Sequence, residues 1–129
     1  MTASVTRTGG CLCGAVRYEV RGEPYQSGIC HCTTCRKLTG SVFSITADWR
    51  AENFSMNGDL ETYERRQFCP ACGSRLFYLY DGGVEIFLGT LDDAPHGIQP
   101  TIEIFTTRRE HWLPAIAGVP QHPEKPPKV

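Results

Sequence analysis

Seven cysteines fall into three tight groups in this chain: Cys11 and Cys13, then Cys30, Cys32 and Cys35, then Cys69 and Cys72. An odd number leaves one thiol over if the rest pair. Cysteines one or two residues apart rarely reach the Cα separation and torsion of a disulfide. The same spacings let neighbouring thiolates turn onto a single ion. Four sulfurs close a structural zinc site, whereas three protein ligands leave a vertex for water or substrate, and chemistry happens at that vertex. The count therefore suggests four plus three.

Cys69-Pro70-Ala71-Cys72-Gly73 has the form of a zinc knuckle. Its C-x-x-C turn points both sulfurs at one ion, and the following glycine permits the close backbone turn. It needs two further ligands, and Cys11-Leu12-Cys13-Gly14, another tight pair followed by glycine, is the natural donor. Four buried free thiols are the alternative. In Cys30-His31-Cys32-Thr33-Thr34-Cys35, three sulfurs within six residues can wrap one face of a tetrahedron. Zinc there would hold a thiolate at neutral pH and act as a Lewis acid. Such an open trio would hold its metal labilely. Alternatively the second site is also structural, completed by His96, His111 or His122. His31 is expected to turn its ring away from the metal into packing or solvent, with a proton relay as its other possible role. A redox reading of the two C-x-x-C spacings lacks the βαβ context of a thioredoxin-like site.

Short strands must position these groups. Val16 to Val20 alternates as a half-buried strand, and Gly22-Glu23-Pro24 turns into a second from Tyr25 to Cys30. Thr33 is placed as the cap of a helical turn running through Arg36 to Leu38 and ended by Gly40. Ser41 to Thr46 reads as a strand. Asn57-Gly58-Asp59 predicts a hairpin between Phe54-Ser55-Met56 and Leu60 to Tyr63, and Asp81-Gly82-Gly83 predicts another between Leu76 to Tyr80 and Val84 to Leu88. Asp92 to Gln99 is a loop and Thr101 to Phe105 a strand. Residues 1–10 read as a loose lead-in. Trp112-Leu113 is placed as a plug on the core. Phe43 and Trp49 are candidates to line a pocket, with core packing favoured for Phe43. The expectation is one mainly β, antiparallel, zinc-stapled domain over 1–129, with little helix and a proline-rich strap from about 119.

Thirteen glycines and nine prolines fit a fold dense in turns, and 40% hydrophobic residues supply one modest core in 129 residues. The net charge of −1 gives no basic footprint for nucleic acid and no polybasic patch for a membrane. No stretch is long and apolar enough to span a bilayer. The first ten residues lack a secretory apolar core, so reduced thiols in the cytoplasm are expected. Arg36 and Lys37 follow the trio and could meet a substrate carboxylate. Arg65, Arg66, Arg108 and Arg109 form basic pairs with no role assigned by sequence.

Three segments carry a resemblance. Gly10-Cys11-Leu12-Cys13-Gly14-Ala15-Val16-Arg17-Tyr18, Cys30 to Lys37 with Gly40-Ser41, and Phe68-Cys69-Pro70-Ala71-Cys72-Gly73-Ser74 resemble the glutathione-dependent formaldehyde-activating enzyme family, which includes centromere protein V. Gly89-Thr90-Leu91-Asp92-Asp93 and the Trp112 region fit as well. The resemblance implies folded antiparallel sheets stapled by zinc. It implies a structural zinc on Cys11, Cys13, Cys69 and Cys72 and a catalytic zinc on Cys30, Cys32 and Cys35. It also implies carbon–sulfur lyase activity, the condensation of glutathione with formaldehyde to S-(hydroxymethyl)glutathione. The binding partners would be a small thiol and an aldehyde. A non-catalytic zinc-stapled module that binds glutathione or a protein is the competing expectation. The chain departs from many relatives at Glu103, where they carry histidine. Glu103 is expected to face water; facing the pocket, it would repel a carboxylate.

Overall fold

Half-buried alternation in the short segments produces a mainly β chain, seen in a computed structural model that describes residues 5–126. β1 (Thr6–Gly10), β2 (Arg17–Arg21) and β5 (Phe54–Asn57) form a three-stranded antiparallel sheet in the order β1-β2-β5. The remaining strands are β3 (Gln26–Cys30), β4 (Ser44–Arg50), β6 (Glu61–Tyr63), β7 (Arg66–Phe68), β8 (Arg75–Tyr80), β9 (Gly83–Phe87), β10 (Glu103–Ile104) and β11 (Gln121–His122). They make an eight-stranded sheet ordered β11-β10-β3-β4-β9-β8-β7-β6. Among the described residues, no helix is long and apolar enough to cross a membrane.

The core lies between the two sheets. Val16, Tyr18 and Val20 meet Ala47, Trp49, Phe77, Val84 and Ile86 there, all buried. Strand periodicity explains the choice, since alternate residues share a face. Tyr18, Phe54 and Phe77 form an aromatic triangle with centroids 5.2 to 6.2 Å apart. Each buried side chain of this size contributes about 1.5–3 kcal/mol relative to exposure. Trp49 is therefore a core residue, its indole N–H donating to the Gly22 carbonyl at 2.9 Å. The expectation for Phe43 reverses too: it is half-buried, lines a surface cavity and sits 5.9 Å from the His31 ring.

The hairpin at Asp81-Gly82 forms as expected, with Tyr80 opposite Gly83. The one at Asn57-Gly58-Asp59 does not. β5 pairs with β2, while β6 pairs with β7 in the other sheet. Phe54 and Met56 turn inward against the core, whereas Glu61, Thr62 and Tyr63 are all exposed and share no buried face with them. Gly58 makes the crossing, at φ 109°, where a Cβ would stand 2.3 Å from the Ala15 carbonyl oxygen.

Other boundaries shift. Of the loose lead-in, residues 6–10 are a paired strand; residues 1–4 lie outside the described residues. The strand placed at Ser41 to Thr46 begins at Ser44 and runs to Arg50. Thr101 to Phe105 contracts to two residues. The last strands also break the antiparallel rule, since β10 runs parallel to both β3 and β11. Trp112 is 70% exposed and plugs nothing. The proline-rich strap is held instead by its backbone, Glu103 N–H to Pro120 O at 2.9 Å and Phe105 N–H to Glu124 O at 3.2 Å.

Candidate functional site

Two backbone turns bring the first sulfur group together. Cys11 and Cys13 occupy the β1–β2 connection, and Cys69 and Cys72 the β7–β8 connection. Gly73 N–H donates to Cys69 O at 2.8 Å and Gly14 N–H to Cys11 O at 3.2 Å, closing both turns. The Leu12 N–H donates to the Ser74 hydroxyl oxygen at 3.0 Å, tying one turn to the other. Cys11 Sγ lies 3.6 Å from Cys13 Sγ, which lies 3.8 Å from Cys69 Sγ, and all four sulfurs fall within 4.8 Å of one another. A tetrahedron of thiolates about 2.3 Å from zinc has edges of about 3.8 Å. The quartet fits such an ion. Backbone N–H groups of Val16 and Ala71 approach Cys11 Sγ and Cys69 Sγ at 3.2 and 3.4 Å. Burial would raise the Cys11 thiol, but the Val16 N–H, Cys13 and Cys69 outweigh it and lower it. The Ser74 hydroxyl beside Cys72 holds that thiol down to about 5.

The second group is built at a strand-to-helix junction. Cys30 ends β3, and Cys32 is the N-cap of helix α1 (Thr33–Thr39). Cys32, not the expected Thr33, caps it: its sulfur accepts from the Cys35 N–H at 3.3 Å. Gly40 ends the helix in the left-handed conformation at φ 72°, as its sequence position suggested. The sulfurs of Cys30, Cys32 and Cys35 also lie within 4.8 Å of one another. Hydrogen bonding from Cys30 pulls the Cys35 thiol down to about 6, with Ser44 and Cys32 assisting against burial. Cys30, holding the shared proton, is pushed up. Among the described residues no histidine or carboxylate completes this trio. His96 instead accepts the Ile98 N–H at 3.0 Å. A cavity of about 250 Å³ opens beside Cys30 and Cys35.

His31 is fully buried, and Glu103, expected to face water, is only 2% exposed. The two meet at 2.8 Å, His31 Nε2 to Glu103 Oε1. Glu103 Oε2 accepts from the Ile116 N–H and the Gln121 amide, each at 2.9 Å, and Arg109 stands 3.4 Å from Oε1. Burial alone would raise this carboxyl, but the Ile116 N–H, His31, Gln121 and Arg109 outweigh it and hold it near about 2. Glu103 does not face water because β3 and the β11 strand of the strap flank β10 on both sides. The His31 N–H donates to Ile104 O at 3.1 Å, so the pair fixes the Cys30–Cys32 segment from behind. Glu103→Gln is expected to cost about 2–4 kcal/mol, since it removes the carboxylate that serves the half-buried Arg109 and the buried His31. Thermal denaturation should show a midpoint about 10 °C lower. An unshifted midpoint would contradict an anchoring role.

The basic residues divide differently from expectation. Arg36 is tied to Glu110 at 2.7 Å and to the Arg108 carbonyl at 3.2 Å, so its charge is already matched. Arg66 lines a second cavity that shares Cys35, Ser44 and Glu85 with the first. Asp92, in the Gly89–Asp93 segment, accepts from Thr8 at 2.7 Å and from Arg17 at 3.0 Å, and Arg17 holds it near about 2. That segment is a clasp between sheets.

Sequence reasoning missed the floor of the cleft. Asp48, Glu85, Tyr78 and Tyr80 lie on the sheet face away from the core, beside the trio. Asp48 is buried and accepts from the Tyr80 hydroxyl at 2.6 Å. Burial first, and then Asp48, push the Glu85 carboxyl up to about 7. Charged residues at alternate positions of otherwise apolar strands were the available signal.

Residues 6–108 match the glutathione-dependent formaldehyde-activating enzyme family. The chain is 31% identical over 80 residues to an uncharacterized lyase of Schizosaccharomyces pombe, covering 58% of each chain. It is 32% identical over 83 residues to a Halomonas elongata protein provisionally named a glutathione-dependent formaldehyde-activating enzyme, covering 54% of this chain and 53% of that one. The matches thus span a little over half the length of these curated relatives. With four sulfurs gathered at one point and three at another, and a match over most of its length, the chain belongs to the glutathione-dependent formaldehyde-activating enzyme family.

Proposed function

We propose that this chain is a zinc-dependent carbon–sulfur lyase that joins a small thiol such as glutathione to formaldehyde or a related aldehyde. The observation that carries the proposal is the trio of sulfurs within 4.8 Å beside an open cavity. In this reading Cys11, Cys13, Cys69 and Cys72 hold a structural zinc, and Cys30, Cys32 and Cys35 a catalytic and labile one. Zinc on the trio supplies a seat for a substrate thiolate at neutral pH. Three thiolates outweigh the charge of the ion, which suits holding a nucleophile better than activating a carbonyl. The reaction forms one bond, from thiol sulfur to carbonyl carbon, and moves the thiol proton to the carbonyl oxygen, so no atom is lost. Thiol and aldehyde combine unaided, so the protein contributes proximity and a prepared thiolate. Around the trio, the Cys35 N–H fixes Cys32 and the His31–Glu103 pair holds the loop. One domain in a reducing compartment such as the cytoplasm suits free thiols.

Adduct formation followed by NMR at low thiol and formaldehyde concentration tests this. The zinc-loaded protein should exceed the spontaneous rate at least about tenfold, a barrier reduction of about 1.4 kcal/mol. A rate equal to the spontaneous one would remove catalysis. Retained thiol binding would then favour the non-catalytic module, a reading that the weak Lewis acidity of a three-thiolate zinc keeps open.

A further inference from the structure

Strand register sets an apolar wall directly beside the trio. Cys30 of β3 has Ile104 of β10 next to it on one side and Ser44 of β4 on the other. Residues two apart on a strand share a face. One step along that face Gly28 follows Cys30, with Thr46 opposite it. A Cβ at Gly28 would stand 2.8 Å from Ile102 Cγ2, so Ile102 leans over the backbone that the glycine leaves bare. Ile102, Ile104, Gly28, Thr46 and Pro126 of the strap line the same cavity as Cys30 and Cys35. Both isoleucines are half-buried, and neither belongs to the central core. The nearest carboxylate on β4, Asp48, stands four residues beyond Ser44. The ground closest to the sulfurs is therefore apolar.

Neither formaldehyde nor glutathione fills this wall. Formaldehyde has two heavy atoms and needs about the room of one or two waters, roughly 30–60 Å³, in a cavity of about 250 Å³. Glutathione is polar along its length, and amides laid against Ile102 and Ile104 would be buried without partners, which costs free energy. We propose that the wall receives an apolar chain on the carbonyl carbon, so that the site prefers a straight-chain aldehyde of about three to five carbons, with Ile102 and Ile104 setting the preference. The proposal rests on reading the trio as the place where thiol and aldehyde meet. The bond formed is still sulfur to carbonyl carbon, with the thiol proton passing to the carbonyl oxygen. Register sets the length. Gly28 lies two residues from Cys30, about 6.6 Å along the strand. A chain that starts at the trio and runs that far covers Ile104 and Ile102 and ends before the buried Asp48. Each methylene laid on the wall removes apolar surface from water, so the preference grows with each carbon.

A series of aldehydes and a matched series of thiols decide the matter. Exchange NMR at equilibrium gives the rate of adduct formation with the zinc-loaded protein, divided by the spontaneous rate of the same pair to remove intrinsic reactivity. With 2-mercaptoethanol as thiol, that ratio should rise about threefold per carbon from propanal through pentanal, and heptanal should gain nothing further. With formaldehyde as aldehyde, lengthening the thiol from ethanethiol to butanethiol should leave the ratio level. Binding is read apart from turnover: 1-pentanol should shift the Ile102 and Ile104 methyl signals at a concentration at least about tenfold below that needed with 1-propanol. Ile102→Thr keeps the branched shape and adds a hydroxyl, and the rise from propanal to pentanal should fall at least about threefold. Gly28→Ala pushes Ile102 toward the cavity and supplies a second variant, checked for fold by its melting profile; it should shorten the longest aldehyde that still gains. A level ratio across the aldehydes, a rise that continues to heptanal, an equal rise along the thiols, or a rise unchanged in both variants overturns the proposal. Formaldehyde turnover with a level ratio would leave the lyase reading standing and remove this one. Length-dependent alcohol binding at the two isoleucines without turnover of any aldehyde would leave the apolar site standing and remove the lyase reading.

Discussion

Replacing Cys72 with serine is expected to abolish the soluble fold. The quartet joins the β1–β2 turn of the small sheet to the β7–β8 turn of the large one, so a missing ligand unties the two layers of the core. Structural zinc contributes on the order of 10 kcal/mol or more of apparent folding free energy near neutral pH. Net stability of a domain is about 5–15 kcal/mol, so the loss is comparable with the whole. Serine cannot repair it, because its hydroxyl is not a thiolate at neutral pH. With zinc as the proposed staple, the change would also leave the buried Cys69 and Cys11 without an ion to share. Circular dichroism and size exclusion should find unfolded or aggregated protein. A monomer with an unchanged melting profile would show that the quartet is not the scaffold's staple.

Replacing Cys32 with serine should have the opposite outcome: a folded protein without activity. The local geometry explains why the fold survives. Cys32 acts as N-cap, accepting from the Cys35 N–H, and serine is among the best residues for that position. The seven-residue helix α1 has no buried residues and contributes nothing to the central core. The trio, reduced to two sulfurs, should lose its ion. Zinc per chain should fall from about two to about one, and adduct formation should return to the spontaneous rate. The melting midpoint should stay within about 5 °C of the unaltered protein, little more than the effect of a single kcal/mol. Unfolding would mean that the second site is structural. Full activity with one zinc would place the chemistry elsewhere.

The two substitutions separate because the quartet links two sheets, whereas the trio lies within one strand-to-helix junction. Cys69 and Cys11 belong to the buried cluster with Val16, Tyr18 and Trp49, while Cys72 is half-buried and Cys13 exposed; Cys30, Cys32 and Cys35 are all half-buried, Cys30 and Cys35 lining a cavity. The sequence does not carry that difference. All three groups read as tight cysteine pairs or triples, and the knuckle motif at Cys69 to Gly73 distinguishes only one of them.

Much of the site was legible because ligand spacing is a local property. Turns such as Cys-x-x-Cys-Gly and Cys-x-Cys-Gly fix their own geometry within a few residues, and the central hairpin at Asp81-Gly82 did the same. Errors arose where a local signal competed with a distant partner. Asn57-Gly58 carries a strong hairpin signature, yet β5 gains more by turning Phe54 and Met56 onto Tyr18 and Phe77 than by pairing with the fully exposed β6. Glu103 looked like a solvent-facing position of an alternating strand. Two parallel neighbours, 72 residues before it at His31 and 18 after it at Gln121, cover it from both sides.

Residue types and their spacing alone determined which cysteines could share an ion, a grouping in four and three that the fold reproduces. Tertiary structure alone decided what stands beside the group of three. The wall of Ile102, Ile104, Gly28 and Thr46 exists only because three strands are in register. Register is set by burying the opposite faces of those strands, through contacts between residues far apart in the chain. No window along the sequence contains them together.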